Sequence, residues 1–199
     1  MNFSDYRAIE FHREGRVLHA TFNRPDTLNA FNEELEADVA RLFVEVATDE
    51  ATAVLVLTGA GRAFSAGGDF EQMQRAIDDP DLFLKGVSTG KRMLFSLLDC
   101  PKPVIAKVNG AAMGLGATIA LFCDIIIAAE HAKIGDPHVK AGYVAGDGGA
   151  VIWPQLIGFA RAKEYLMTGD ALTGEEAARI GLINKAVSAA NLEIGRAHV

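Results

Sequence analysis

Short stretches of hydrophobic and polar residues along this chain follow the spacing of β-strands. Residues 9–13 and 17–23 mix β-branched or aromatic residues with polar ones on either side of a short turn, which predicts a β-hairpin. Residues 53–58 form a continuous apolar run that ends at Gly59, as expected of a strand buried on both faces of a parallel sheet. We therefore expect a parallel sheet with the hairpin at its edge.

Longer segments with apolar residues three or four positions apart predict helices. They cover residues 31–46, 81–98, 114–122, 149–156, 160–167 and 173–180. Thr173 with Glu176 forms a capping-box pattern at the start of the last helix. The helix at 114–122 lies between two predicted buried strands, 104–108 and 124–128, and the three segments make a βαβ unit. The expected fold class is therefore α/β.

Composition narrows the class of protein. The 199 residues are 50% hydrophobic and 23% charged with a formal charge of −7, which is typical of one globular domain with its own core. The net acidity argues against a nucleic-acid partner, because such proteins usually carry a basic face. The longest apolar stretch, residues 117–129, contains Asp124 and is shorter than the roughly 20 residues of a membrane span. Since Cys100 and Cys123 show no metal or redox spacing, we expect a cytoplasmic protein with no membrane partner.

Glycines cluster in three places, residues 59–68, 110–116 and 142–149, each next to a predicted strand end. Turn formation alone explains any single cluster, but three of them in an α/β pattern favour a site built from backbone amides. Standard glycine motifs do not fit. Ile119 occupies the last slot of a GxGxxG-like run, and Ser65 lies one glycine short of a GxSxG nucleophile motif. A dinucleotide site and a serine hydrolase are therefore disfavoured.

Four separate stretches carry a more specific signal. They are NRPDTLNAF (23–31), GRAFSAGGDF (61–70), PKPVIA running into NGAAMGLG (101–116) and CDIIIA (123–128). In order and spacing they resemble the crotonase or enoyl-CoA hydratase/isomerase superfamily. The resemblance implies an α/β spiral of ββα units, with a core at residues 1–188 and a short tail at 189–199. Members continue into a helical segment that closes the site, and we expect that segment to be missing or truncated here.

The resemblance also implies where an acyl-CoA thioester binds. In such proteins two backbone amides hold the thioester oxygen, and at the matching positions here they belong to Gly68 and Leu115. Two fixed N–H donors stabilise the charge that an enolate or a tetrahedral oxyanion gains in the transition state. The matching segments imply coenzyme A contacts for Arg24, Leu28, Ala30, Ala66, Gly67, Asp69 and Phe70. Coenzyme A is expected only as part of the substrate, and Arg24 is either a phosphate contact or a solvated turn residue.

The chain departs from the hydratase pattern at the two positions where members carry catalytic glutamates. Those positions are Thr118 and His138 here. Neutral imidazole is a competent general base near neutral pH, whereas a hydroxyl without a carboxylate beside it is a poor one. Asp147 lies nine residues after His138, and it either orients that imidazole or caps the following helix. A metal site is not expected, because Asp136, His138 and Asp147 lack close ligand spacing in the sequence.

The resemblance leaves the reaction open. The expected function is that of an enoyl-CoA hydratase/isomerase-family enzyme with the catalytic residues Gly68, Leu115, Thr118, His138 and Asp147. One alternative is hydrolysis of a carbon–carbon or thioester bond by His138 and Asp147. Another is a non-catalytic acyl-CoA-binding protein of the same fold. The resemblance further implies a homotrimer or a dimer of trimers.

Overall fold

Six strands form the larger of two sheets in the computed structural model, which describes residues 1–194 and the side chains of residues 1–192. In spatial order they are β1 (Ile9–Glu14), β2 (Val17–Phe22), β3 (Val54–Gly59), β5 (Val104–Val108), β7 (Ile125–Ala129) and β10 (Lys185–Val187). The first two strands are antiparallel, and every later pairing in this sheet is parallel. The predicted parallel sheet with a hairpin at its edge is therefore confirmed.

The hydrophobic pattern does not predict the second sheet. Its strands, in spatial order, are β4 (Ala63–Ser65), β6 (Ala111–Met113), β8 (Lys133–Gly135) and β9 (Leu172–Thr173). With two or three residues each, these strands are too short to show a period of two residues. Strands β4 and β6 lie within the first two glycine clusters and pair in parallel, which brings those clusters together.

Helices pack around both sheets. They are α1 (Glu33–Thr48), α2 (Phe70–Asp78), α3 (Pro80–Leu98), α4 (Leu115–Leu121), α5 (Gly149–Thr168), α6 (Gly174–Ile180) and α7 (Ala189–Ile194). Helix α5 covers two predicted helices, and Gly158 between them is not helical, with φ 78° and ψ 160°. The capping box of Thr173 and Glu176 at the start of α6 is confirmed. Within residues 1–194, none of these helices combines the length and apolar character that a bilayer span requires.

Aromatic side chains from both sheets and from the helices meet in the core. Phe22 packs edge-on against Phe31 and Phe64, with ring centroids 5.6 and 5.3 Å away, and all three rings are fully buried. Burying one such side chain contributes about 1.5–3 kcal/mol relative to leaving it exposed. Leu192 of α7 joins this core, so part of the predicted tail packs on the domain. The remaining tail residues, 195–199, lie outside the described residues.

Candidate active site

Two backbone N–H groups correspond to the amide pair expected from the sequence. Phe31 donates its N–H to the carbonyl oxygen of Gly67 over 2.7 Å and accepts the N–H of Asp69 over 3.0 Å. This bridge leaves the N–H of Gly68 unused. Leu115 is the first residue of α4, where an N–H has no partner within the helix. Neither N–H has an acceptor among the described residues.

The turns that carry these two amides are in direct contact. Gly67 has a φ of 94°, which favours glycine. A Cβ at that position would lie 2.7 Å from the carbonyl oxygen of Met113 and 3.7 Å from Cα of Gly114. Met113 and Gly114 lead directly into Leu115. The predicted oxyanion amides, those of Gly68 and Leu115, therefore lie on neighbouring turns.

His138 begins a short 3₁₀ helix, His138–Ala141, beside the start of α4. Its Nδ1 contacts Oδ1 of Asp136, which also accepts the backbone N–H of His138 over 3.3 Å. Its Nε2 lies 3.4 Å from Oδ2 of Asp147. A Cβ on Gly114 would lie 3.4 Å from Cε1 of the ring. The imidazole is thus held between two carboxylates and against the turn that precedes α4.

Asp147 contacts both Thr118 and His138, the two residues compared above with the glutamates of hydratases. Its Oδ1 accepts a hydrogen bond from Oγ1 of the fully buried Thr118 over 3.1 Å. Its Oδ2 faces His138. The same carboxylate accepts the N–H of Gly149, the first residue of α5, over 3.4 Å. Asp147 therefore contacts both the imidazole and the first N–H of α5, whose N-cap residue is Gly148.

In the cluster formed by Asp136, His138 and Asp147, the imidazole and the Asp147 carboxyl hold protons more firmly than the free side chains do. The hydrogen bond that His138 donates to Asp136 raises the pKa of His138 above 6.5, and the charge of Asp147 raises it further against the opposing effect of burial. Burial also raises the pKa of Asp147 above 3.8, although the charge of His138 acts in the other direction. Acid and base groups with shifted pKa values in one cluster are a feature of proton-transfer sites.

Asp136 is the member of this cluster that the sequence did not assign to the site. It is 1% exposed, and its Oδ2 has no hydrogen-bond partner in the described part of the chain. A Cβ at position 149 would overlap that oxygen, so Gly149 allows the carboxylate to fit. The available signal was local: an aspartate two residues before a histidine, in a turn that follows a strand.

Replacing Asp136 with asparagine is expected to lower the pKa of the His138 imidazole. The hydrogen bond from the imidazole to the Asp136 carboxylate is the largest cause of the raised value, and a neutral amide stabilises imidazolium less. An NMR titration of the imidazole protons, assigned by their absence in His138→Ala, measures the change. The exposed His131 serves as the internal reference. An unchanged or increased pKa of His138 would contradict the role given to Asp136.

Three possible metal ligands that are not closely spaced in the sequence come together in the fold. Asp136, His138 and Asp147 place one possible ligand atom each within 4.8 Å of one another. The two carboxylates, however, contact opposite nitrogens of the imidazole. One ion can bind only one of those nitrogens, so the arrangement favours hydrogen bonding over chelation. The absence of a metal stays a prediction.

The two segments expected to contact coenzyme A are joined to each other. The N–H of Ala66 donates to the carbonyl oxygen of Leu28 over 2.9 Å. Arg24 forms an ion pair with Asp69 at 3.3 Å and donates to the carbonyl oxygen of Ala30. The guanidinium is therefore engaged within the protein, where the sequence suggested either a phosphate contact or a solvated residue.

The other two predicted coenzyme A residues have different surroundings. Gly67 lies in the turn described above, between the segment containing Leu28 and the start of α4. Phe70 is 83% exposed at the beginning of α2. Asp69 caps the same helix by accepting the N–H groups of Glu71 and Gln72 over 3.1 and 3.3 Å. Coenzyme A contacts at these residues stay a prediction.

A pocket of about 430 Å³ adjoins Gly68 and lies between α1, α2 and α3. Its apolar lining includes Met73, Leu82, Phe83 and Val87. This volume is in the range of sites that bind small molecules.

Solved structures place this architecture among known folds. An enoyl-CoA hydratase/isomerase from Mycobacterium paratuberculosis superimposes with a TM-score of 0.91 at 39% identity, covering 97% of this chain and 78% of that one. An enoyl-CoA hydratase from Bacillus anthracis gives a TM-score of 0.90 at 32% identity, over 96% of this chain and 74% of that one. The crotonase-type α/β fold expected from the sequence is therefore confirmed.

Sequence comparisons agree with the structural ones. The profile of the family described as Enoyl-CoA hydratase/isomerase matches residues 12–197. The short-chain-enoyl-CoA hydratase of Clostridium acetobutylicum is 38% identical over 183 residues, which are 90% of this chain and 69% of that protein. The 1,2-epoxyphenylacetyl-CoA isomerase of Escherichia coli is 40% identical over 176 residues, covering 86% and 66%. The chain belongs to the enoyl-CoA hydratase/isomerase family, and it spans about two thirds of the length of these curated relatives.

Proposed function

We propose that this protein is an enzyme that hydrates or isomerises an enoyl-CoA thioester, with proton transfer by Asp147 and His138. The observation that carries the proposal is the position of Asp147, which joins Thr118 to His138 by contacts of 3.1 and 3.4 Å. One carboxylate thus serves both of the positions where the family pattern has glutamates. Hydratase and isomerase names among the relatives support this class of reaction.

The N–H groups of Gly68 and Leu115 are proposed to bind the thioester oxygen. Both belong to adjoining turns and lack a protein acceptor among the described residues. Hydration and isomerisation each pass through an enolate, whose negative charge collects on that oxygen. Donors held in place before the reaction stabilise this charge without a cost of reorganisation.

Asp147 and His138 provide the proton transfers. In isomerisation, a base removes a proton from one carbon of the acyl chain and returns it to another, so the Asp147 carboxylate suffices. In hydration, the water oxygen adds to the enoyl double bond while Asp147 accepts a proton from that water. The imidazolium of His138 then donates a proton to the enolate carbon. The pKa of each group is raised above its ordinary value, so both groups hold a proton more firmly than the free side chains do.

Hydrolytic cleavage is a second candidate, because His138 has a carboxylate at each ring nitrogen. The Asp136 contact favours a proton on Nδ1 and leaves Nε2 as the exchanging nitrogen. An imidazole oriented in this way activates water or another nucleophile in hydrolases. A carbon–carbon bond next to the thioester, or the thioester itself, is the proposed target in that case.

His138→Ala is expected to reduce crotonyl-CoA turnover by about 10²–10⁴-fold, the usual contribution of a general acid or base. Loss of the conjugated-thioester absorbance measures turnover, and calorimetry measures binding of the same thioester. Binding should persist, because His138 is not among the residues proposed to hold coenzyme A. The exposed His131→Ala is the matched control. Unchanged turnover in His138→Ala would remove this residue from the mechanism.

The wild-type protein separates the remaining alternatives in the same assay. Binding of crotonyl-CoA without loss of absorbance would contradict hydration and redirect the search to 3-enoyl-CoA isomerisation, then to hydrolysis. Binding without any of these reactions would favour the non-catalytic acyl-CoA-binding protein.

The proposed enzyme assembles as a homotrimer or a dimer of trimers. Apolar side chains on the outer helices support assembly: Phe95 and Leu98 of α3 and Val151 and Phe159 of α5 are each more than half exposed. Exposed apolar side chains in such numbers often mark interfaces between subunits. The cytoplasmic location stays a prediction.

A further inference from the structure

Glu36 places a carboxyl group in the pocket beside Gly68. It lies on α1, and the rest of the lining that faces it from α2 and α3 includes the apolar side chains of Met73, Leu82 and Phe83. If Gly68 holds the thioester oxygen as proposed, we take this adjoining pocket as the one that receives the distal part of the acyl chain, beyond the carbons that face Asp147 and His138. A polar group in such a lining is unfavourable unless it finds a hydrogen-bond partner.

Gln72 holds Glu36 in place. The Nε2 group of Gln72 donates a hydrogen bond to Oε1 of Glu36 over 3.0 Å. The other carboxyl oxygen, Oε2, has no hydrogen bond to the described residues. Burial raises the pKa of Glu36 to about 7, the Gln72 contact lowers it, and the charge of Glu33 adds to the increase. Glu36 is therefore present in both protonation states near neutral pH.

Helix α2 sets a short distance between Gly68 and the hydrogen-bonded pair of Glu36 and Gln72. Asp69, the residue after Gly68, caps α2, and its carboxylate accepts the N–H of Gln72 over 3.3 Å. One helical turn rises about 5 Å, so Gln72 is roughly one turn from the proposed thioester amide. A substituent on the first few carbons of an acyl chain is within reach.

The charges around the pocket bear on which substituent it favours. The charged residues of the lining are balanced in sign, with Glu33, Glu36 and Asp69 against Arg75, Lys85 and Arg92. The pocket as a whole therefore favours neither an anionic nor a cationic acyl group. A neutral hydroxyl does not depend on that balance. It donates to a carboxylate and accepts from a protonated carboxyl, so its contact with Glu36 persists in both protonation states.

We propose that Glu36, positioned by Gln72, determines substrate specificity by binding a hydroxyl group on the acyl chain of the thioester. This inference rests on the proposed function, because it takes Gly68 as the thioester amide. The favoured substrates are hydroxylated acyl-CoA thioesters. Plain acyl chains of the same length bind less well, because they offer no hydrogen bond to Oε2 of Glu36, the oxygen that Gln72 does not contact.

Calorimetric binding of butyryl-, hexanoyl- and octanoyl-CoA, each compared with its ω-hydroxy counterpart, tests the proposal. These saturated thioesters have no double bond to hydrate, so they report binding alone. For at least one chain length the hydroxylated compound should bind about 10–100-fold more tightly to the wild type. Glu36→Met, which keeps the volume without the carboxyl group, should bring the ratio close to one. Gln72→Met should reduce it.

Glu33→Met is the matched control, since Glu33 lines the same pocket on the same helix but does not bond to Gln72. It should keep the wild-type ratio. A ratio near one for all three chain lengths in the wild type, or a ratio unchanged in Glu36→Met, would overturn the inference while leaving acyl-CoA binding intact. Failure of every thioester to bind would instead overturn the proposed function, and the inference with it.

Discussion

Asp147→Asn is expected to lower turnover of the thioester substrate by about 10²–10⁴-fold, as large a loss as we expect from any single side chain. Asparagine has nearly the same shape, and its oxygen still accepts the hydrogen bonds from Thr118 and Gly149. It cannot accept a proton, however, so both proposed reactions lose their base. Crotonyl-CoA hydration and 3-enoyl-CoA isomerisation assays measure the effect.

Asp170→Asn is the control for that variant. Asp170 is an exposed aspartate whose carboxylate pairs with Lys140 at 3.1 Å and, among the described residues, forms no hydrogen bond or ion pair with Asp136, His138 or Asp147. Its replacement should leave turnover unchanged. If Asp147→Asn turned over substrate at the wild-type rate, Asp147 would not be the base, and the proposal would lose its central residue.

Asp147→Asn is also expected to gain stability relative to the wild type as the pH rises. Burial raises the pKa of Asp147 in the folded state, so the folded protein binds the proton more tightly than the unfolded chain. The contribution of Asp147 to the free energy of unfolding therefore falls as the pH increases from 3.8 through the folded-state pKa. The raised pKa of His138 acts in the same direction. Its contribution to stability is fully present below pH 6.5 and is lost as the pH rises through the folded-state pKa. Denaturant unfolding at several pH values should show the variant's advantage growing with pH, and a shrinking advantage would contradict the raised pKa.

Leu115→Pro is expected to reduce turnover by about 10²–10³-fold, or about 2.7–4 kcal/mol of transition-state stabilisation. Proline removes the N–H that is proposed to bind the thioester oxygen. The fold should tolerate the change, because the first position of a helix needs no N–H and favours proline. The preceding residue is Gly114, whose φ of 50° and ψ of −120° avoid the clash that proline imposes on residues with a side chain.

Leu115→Ala separates the amide from the side chain, since it shortens the side chain and keeps the N–H. It should retain most of the turnover that Leu115→Pro loses. Circular dichroism and the thermal midpoint show whether both variants are folded. Equal turnover in folded Leu115→Pro and Leu115→Ala would exclude this amide from the oxyanion site.

Local patterns predicted the elements that bury a regular face. Helix α1 buries Leu35, Val39, Leu42, Phe43 and Val46, whose spacing is visible in the sequence. Strand β3 is an apolar run because its neighbours in the parallel sheet cover it. Helix α2, in contrast, buries none of its residues, although Phe70, Met73 and Ile77 are spaced as on one face of a helix. We did not predict α2 from the sequence, because it spans only nine residues and its apolar face does not enter the core.

The site was predicted in part. His138 and Asp147 stood out because histidine and aspartate replace or join expected glutamates at recognisable positions. Asp136 did not, because its role depends on burial and on the space beside Gly149, which no local pattern reports. Arg24 shows the same limit. Its guanidinium pairs with Asp69, 45 residues away in the chain, and not with solvent.

The sequence by itself determined the family, the parallel sheet with its hairpin, and the turns that carry Gly68 and Leu115, since these depend on short motifs and on glycine at defined positions. Only the tertiary structure decided how Thr118, Asp136, His138 and Asp147 meet. These residues come from α4, from the segment after β8 and from the turn before α5. Hydrogen bonds of about 3 Å between such segments depend on how the core packs, and the spacing of residues along a chain does not contain that information.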